Sequence, residues 1–343
     1  MKTKIIKKRD VADLLNKWIE EYDVFAPVKR GGLVVFDQIH SGDEVRRSYP
    51  NTTKSAKELL FPQTETLFSY KSTNGAATIE VPLIEERKRL LFGIRPCDAR
   101  GFSLLDGVFD GEKYKDVYYL NRRANTLIVA IGCNKPKTTC FCTSVGGSPF
   151  SEEGSDLLLI DIGDSYIVKL VTDRGGSLVE SAGLEDATED DLALMRKAVQ
   201  DAETSMKVKL DMNGVKEKLD GMFNDPIWIE LTEKCLGCGI CTYLCPTCHC
   251  FDIVDEATDS SGKRIRLWDS CQFTQFTQQA SGFTPRPTNK ERLRQRIMHK
   301  FNYFTDSYGQ IGCVGCGRCI VECPVNLDIR EVLNDILMGK VTK

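Results

Sequence analysis

The sequence predicts an α/β domain over residues 1–225 followed by an α-helical, cysteine-rich domain over residues 226–343. Three observations carry that prediction. LLFGI and LIVAI are apolar runs without polar alternation, the pattern of parallel strands covered on both faces. Amphipathic helical patterns accompany them. After NDPIWIEL (224–231) strand signals thin out and cysteines crowd in, so the boundary falls there. A chain of 343 residues is long enough for two domains that each bury a core.

The first element is a helix over 10–21. Asp10 is placed to cap it, and Val11, Leu14, Leu15, Trp18 and Ile19 share one face. GGLVVFDQI (31–39) reads as a strand and KSAKELLF (54–61) as a short helix. KRLLFGIRPCDARGFSLLDGVFD gives a buried strand over Leu90–Ile94, a turn at Arg95, Pro96 and Cys97, and a helix from Asp98 to Val108. The plan then repeats, with a strand over Leu127–Ile131 and a turn carrying Gly132 and Cys133. DLLLIDIGDSYIVKLV is a hairpin turning at Gly163 and Asp164. Thr188, followed by an acidic first turn, starts a helix running to Lys207. Val215, Leu219, Met222 and Phe223 mark another helical face, and KERLRQRIMHKFNYF (290–304) also reads as helical.

Composition excludes several function classes. A formal charge of −3 gives no bulk attraction to nucleic acid or an anionic membrane. The start, MKTKIIKKRDVADLL, lacks an apolar h-region. No apolar run approaches the roughly 20 residues that span a bilayer. A soluble, cytoplasmic protein is expected. In such a compartment fifteen cysteines point to metal or cluster ligation rather than to disulfides.

The spacings support ligation. Cys235, Cys238, Cys241 and Cys245-Pro246 form C-x2-C-x2-C-x3-C-P, and Cys313, Cys316, Cys319 and Cys323-Pro324 repeat it. This is the bacterial ferredoxin spacing, in which the fourth cysteine serves the other cluster. Three thiolates on a tight loop reach three corners of one cubane. Gly237, Gly239, Gly315 and Gly317 let backbone N–H groups come close. One [4Fe–4S] cluster is assigned to Cys235, Cys238, Cys241 and Cys323, the second to Cys313, Cys316, Cys319 and Cys245. Structural zinc competes weakly, since zinc sites use two CxxC pairs and need no C-P tail. Cys245 and Cys313 stand 68 positions apart. That insert favours an α-helical ferredoxin-type domain over the compact β-rich kind.

Cys97, Cys133, Cys140 and Cys142 lie in the first domain. Cys97 and Cys133 each follow a predicted buried strand, and α/β sheets build sites at the carboxyl ends of adjacent strands. A third Fe–S cluster on these four is expected, with zinc the minor version and inert buried thiols the bland one. Cys248, Cys250 and Cys271 lie near His249 and read as packing around a cluster rather than as ligands. The basic stretch 285–300 carries Arg286, Lys290, Arg292, Arg294, Arg296 and Lys300. It reads as a solvated helix face, with compensation of cluster charge as the sharper reading. TSVGGSPF (143–150) lacks a full phosphate-binding fingerprint and reads as a turn. His40 and His299 read as lone structural histidines, and no nucleophile–base constellation is present.

Several stretches resemble a known family. They are GIRPCDARGFSLLD (93–106), LIVAIGCNKPKTTCFCTS (127–144), DLLLIDIGDSYIV (156–168), CPTCHCFDI (245–253), WDSCQFTQFT (268–277), HKFNYF (299–304) and CVGCGRCIVECPVNLDI (313–329). The family is one of iron–sulfur electron-transfer subunits. It includes the beta subunit of sulfhydrogenase-type soluble NiFe hydrogenases and the iron–sulfur electron-transfer component of anaerobic sulfite reductase. The resemblance implies a role within a soluble complex in an anaerobe. Its neighbours would be an FAD- and [2Fe–2S]-containing NAD(P)-oxidoreductase subunit and a catalytic hydrogenase, sulfite reductase or heterodisulfide-reductase-type subunit. It also implies a function for Cys97, Cys133, Cys140 and Cys142, which sit in its more particular stretches. The leading expectation is an electron relay without substrate chemistry. The alternatives are a reductase whose first domain binds flavin or a small substrate, and a docking module with inert thiols there.

Overall fold

The structure, a computed structural model, describes residues 3–73, 76–82 and 88–339. Its strands are β1 (Thr3–Lys7), β2 (Asp23–Arg30), β3 (Leu33–Gln38), β4 (Thr64–Thr73), β5 (Ala76–Glu80), β6 (Arg89–Ile94), β7 (Thr126–Ile131), β8 (Leu157–Asp161), β9 (Ser165–Leu170), β10 (Glu185–Asp186), β11 (Phe251–Ala257) and β12 (Ser261–Trp268). The chain divides into two compact units. The first combines the segments ending at Ala56 and Asn213 with the short piece Cys313–Arg318. The second takes in the hairpin segment from Lys57, the stretch Gly214–Gly312 and the chain from Cys319 onward.

The first unit is built on an eight-stranded mixed sheet in the order β10-β1-β9-β8-β7-β6-β2-β3. Strands β2, β6, β7 and β8 are parallel neighbours, with Leu90 opposite Leu127 and Val129 opposite Leu157. Every residue of β7 is buried, as its unbroken apolar run requires. Leu90, Phe92, Val129 and Leu159 form the core with Leu14, Leu15 and Trp18 of the helix Val11–Glu21. Burying such a side chain contributes about 1.5–3 kcal/mol. The Asp10 side chain makes no capping bond to that helix. Thr188 does cap its helix, Glu189–Ser205, in a reciprocal pair with Asp191. The segment 54–61 forms only a short 3₁₀ turn, Ala56–Leu59.

One boundary matters for the chemistry. The helix expected from Asp98 begins at Pro96 and runs to Phe109. Proline suits a first helical position, where no intrahelical N–H bond is needed and its φ is already helical. Cys97 therefore sits in the first turn of a helix rather than in a loop.

The second unit holds helices and a four-stranded antiparallel sheet, β11-β12-β4-β5. Strand signals are sparse in the sequence after residue 224, so β11 and β12 are a correction. Their surfaces explain it: β11 is almost wholly exposed, and its charged side chains hide the extended pattern. The sheet is fixed by a buried Glu65–Arg266 ion pair and by Phe61 stacked on Trp268. The helix Asn289–Met298, capped by Thr288 and Glu291, continues through a π-helical turn, His299–Tyr303, into a helix at Phe304–Tyr308. Among the described residues no helix is long and apolar enough to cross a membrane.

Candidate iron–sulfur centres

In the second unit Cys235, Cys238, Cys241 and Cys323 line one cavity of about 510 Å3, and Cys319 borders it as well. The loop that presents the first three turns on Gly237 and Gly239, with φ of 66° and 76°. A Cβ at Gly239 would lie 2.7 Å from the Phe273 ring, so only glycine fits. Backbone N–H groups already point at sulfur. Gly237 N lies 3.5 Å from Cys235 Sγ, and Leu327 N lies 3.2 Å from Cys323 Sγ. Burial pushes the Cys241 thiol up to about 12. Such a thiol keeps its proton at neutral pH until a metal displaces it.

Arg296 also lines this cavity. It is 3% exposed, and its Nε has no hydrogen-bond partner in the protein. Leaving a buried charged N–H unpaired is costly. A donor in a thiol-lined wall fits an anionic acceptor in the cavity. Thiolate donors, left-handed glycines and an unpartnered guanidinium N–H together suit an iron–sulfur cluster.

The second cysteine run has the same local geometry. Gly315 and Gly317 have φ of 63° and 72°, and Gly315 N lies 3.4 Å from Cys313 Sγ. Cys313 and Cys316 fall in the first unit, and Cys319 and Cys245 in the second. Cys245 lies beside Lys300, whose Nζ is 3.3 Å from its Sγ and also donates to Thr247 Oγ1 and the Gly312 carbonyl. A hydrogen bond from Cys248, and the Lys300 ammonium with it, hold the Cys245 thiol well below its ordinary range.

The basic stretch is thus corrected. Arg292, Arg296 and Lys300 are buried rather than solvated. Their spacing of four places all three on one helix face, beside Leu293, Ile297 and Phe301. That period, visible in the sequence, is the signal that would have placed them inward. His299 is likewise not alone: its ring packs edge-on against His249 at 5.3 Å. Burial lowers the two imidazoles to about 3 and about 4. Cys248 and Cys271 are buried and Cys250 is half-buried, with Cys248 donating to Cys245 and Cys250 to Cys271. Lys57, which no sequence motif marks, donates to the Cys248 carbonyl at 2.8 Å and lies over the Trp268 ring.

In the first unit Cys97, Cys133, Cys140 and Cys142 border one cavity of about 370 Å3 together with Cys316. Cys97 follows β6 and Cys133 follows β7, and these strands are parallel neighbours. Cys142 opens the 3₁₀ turn Cys142–Val145, which Gly146 ends in the left-handed region. Gly315 packs so closely that a Cβ would stand 2.5 Å from Cys142 N, and Phe141 N donates to its carbonyl. Burial raises the Cys97 and Cys133 thiols, and that of Cys142 to about 12. Arg318 reaches Asp98 through two 2.7 Å hydrogen bonds, with both side chains buried. Among the described residues no three His, Cys, Asp or Glu are arranged to hold one metal ion. A tetrahedral zinc site would bring its sulfurs within about 4 Å of one another.

Comparison with known proteins adds two matches. A 4Fe-4S dicluster domain family matches residues 234–327. Sulfhydrogenase 2 subunit beta of Pyrococcus furiosus is 32% identical over 333 residues, covering 96% of each chain. The chain belongs to the sulfhydrogenase beta-subunit family. This is a family of iron–sulfur electron-transfer subunits, and the dicluster match covers both cysteine runs, from Cys235 through Cys323. No solved structure matches the chain.

Proposed function

We propose that this protein relays single electrons through three [4Fe–4S] clusters, between a flavin- and NAD(P)-binding subunit and the catalytic subunit of a hydrogenase-type complex. The observation that carries the reading is the cavity walled by Cys235, Cys238, Cys241 and Cys323 with the unpartnered Arg296 Nε in its wall. The second set, Cys313, Cys316, Cys319 and Cys245, rests on the repeated spacing and the matching glycine geometry. The third, Cys97, Cys133, Cys140 and Cys142, rests on their shared cavity.

Bound clusters supply reversible one-electron chemistry, at potentials set by hydrogen bonds, charge and burial. The chain's own residues supply those settings. Gly237 N, Gly315 N and Leu327 N donate to cysteine sulfur, which stabilises negative charge there. Arg296 and Lys300 add buried positive charge. The family's association with an FAD- and [2Fe–2S]-containing neighbour, and a cytoplasmic location, are part of this proposal.

Iron analysis of the anaerobically purified chain tests it. About twelve irons are expected, and Cys97→Ala or Cys140→Ala should each remove about four while the others stay. Unchanged iron in both variants would sink the third cluster.

A further inference from the structure

The first unit contains a second, larger recess that the relay does not use. It opens to solvent at the carboxyl ends of β6, β7 and β8. Arg95 follows β6, Cys133 and Asn134 follow β7, Asp161 ends β8, and Arg47 and Lys135 also line it. This edge of an α/β sheet is where ligands bind.

Its charge is one-sided. Among the described residues that line it, Asp161 is the sole carboxylate, and Lys8 neutralises that at 2.7 Å. Arg47, Arg95 and Lys135 remain without a carboxylate there. Arg95 is 8% exposed; it spends Nη1 on the Ile131 and Gly132 carbonyls and Nη2 on the Tyr49 carbonyl. Its Nε has no partner. Asn134 donates to the Asp161 carbonyl, but its buried Oδ1 accepts nothing. A buried donor and a buried acceptor on two residues that line the recess thus lack protein partners, which is costly unless something else fills them.

We propose that this recess binds a phosphorylated, hydroxyl-bearing small molecule of the nucleotide class. The Arg47 guanidinium, which gives one N–H to the Lys8 carbonyl, and the Lys135 ammonium suit a phosphate group. The open Asn134 Oδ1 suits a sugar hydroxyl. Cys133 walls both this recess and the thiol cavity, so the ligand would lie against the third thiol set.

Calorimetric titration of the anaerobic full chain with AMP and with inorganic phosphate, against chloride at matched ionic strength, tests the proposal. AMP should bind saturably and more tightly than phosphate. Arg47→Gln and Lys135→Gln should each weaken it about tenfold. Asn134→Ala should weaken AMP but not phosphate. Arg30→Gln, on the exposed surface and paired with Asp37, should change nothing. Equal binding of AMP and phosphate would overturn the nucleotide assignment in favour of a free oxyanion. Absence of saturable binding, or binding indifferent to Arg47 and Lys135, would overturn the site. Iron content measured on the same samples keeps that failure distinct from failure of the relay.

Discussion

Arg296 and Lys300 place their charges where water does not reach, and each faces cysteine sulfur. Positive charge held near a cluster favours its reduced, more negative state. Arg296→Gln is therefore expected to keep its irons but to titrate at a lower potential, read by EPR-monitored redox titration. An unchanged potential with full iron would show that Arg296 does not set it. The His249–His299 pair gives a second prediction at this scale. Their folded pKa values, about 4 and about 3, lie below the ordinary 6.5. Below pH 6.5 the unfolded chain takes up protons that the folded chain refuses. Stability should therefore fall between pH 6.5 and about 4, by up to about 1.4 kcal/mol per pH unit for each histidine. Urea midpoints across that range should drop for the native chain and drop less for His299→Leu. The thiol spacings are legible in the sequence because cluster geometry fixes them. The inward turn of Arg296 and Lys300 is legible only through their four-residue period, which charge alone obscures.

At the scale of elements, the parallel strands β6 and β7 are readable because burial on both faces leaves no room for polar residues. β4, β5, β11 and β12 are not, because their exposed faces carry Glu, Lys and Asp and mimic a polar connection. The start of the helix at Pro96 reads from sequence as a turn, although proline at a first helical position is an ordinary start signal. Two substitutions probe the elements that hold the thiols. Gly239→Ala places a Cβ against Phe273 in a left-handed turn. It should cost about 1–3 kcal/mol and reduce iron at the first cavity, measured by urea unfolding and iron analysis. Asp98→Ala leaves the Arg318 guanidinium buried without its carboxylate. It should cost about 3–5 kcal/mol, whereas removal of the exposed Arg264–Asp255 pair should cost at most about 1 kcal/mol. Equal effects would show that Asp98 is not what balances Arg318.

For the whole molecule, family membership follows from a match over nearly the full chain, and the dicluster match lies within it. The twelve assigned cysteines divide into three sets. Of the remaining three, Cys248 packs beside Cys245, and Cys250 pairs with Cys271, which also accepts from Gln272. Three such sets in one chain are suited to passing electrons. The central claim is a three-cluster relay. It is tested most directly by stepwise anaerobic reduction of the purified chain with its iron counted in the same sample. About twelve irons, and about three electrons taken up and returned reversibly, are predicted. About eight irons with two electrons, or no reversible uptake, would contradict it.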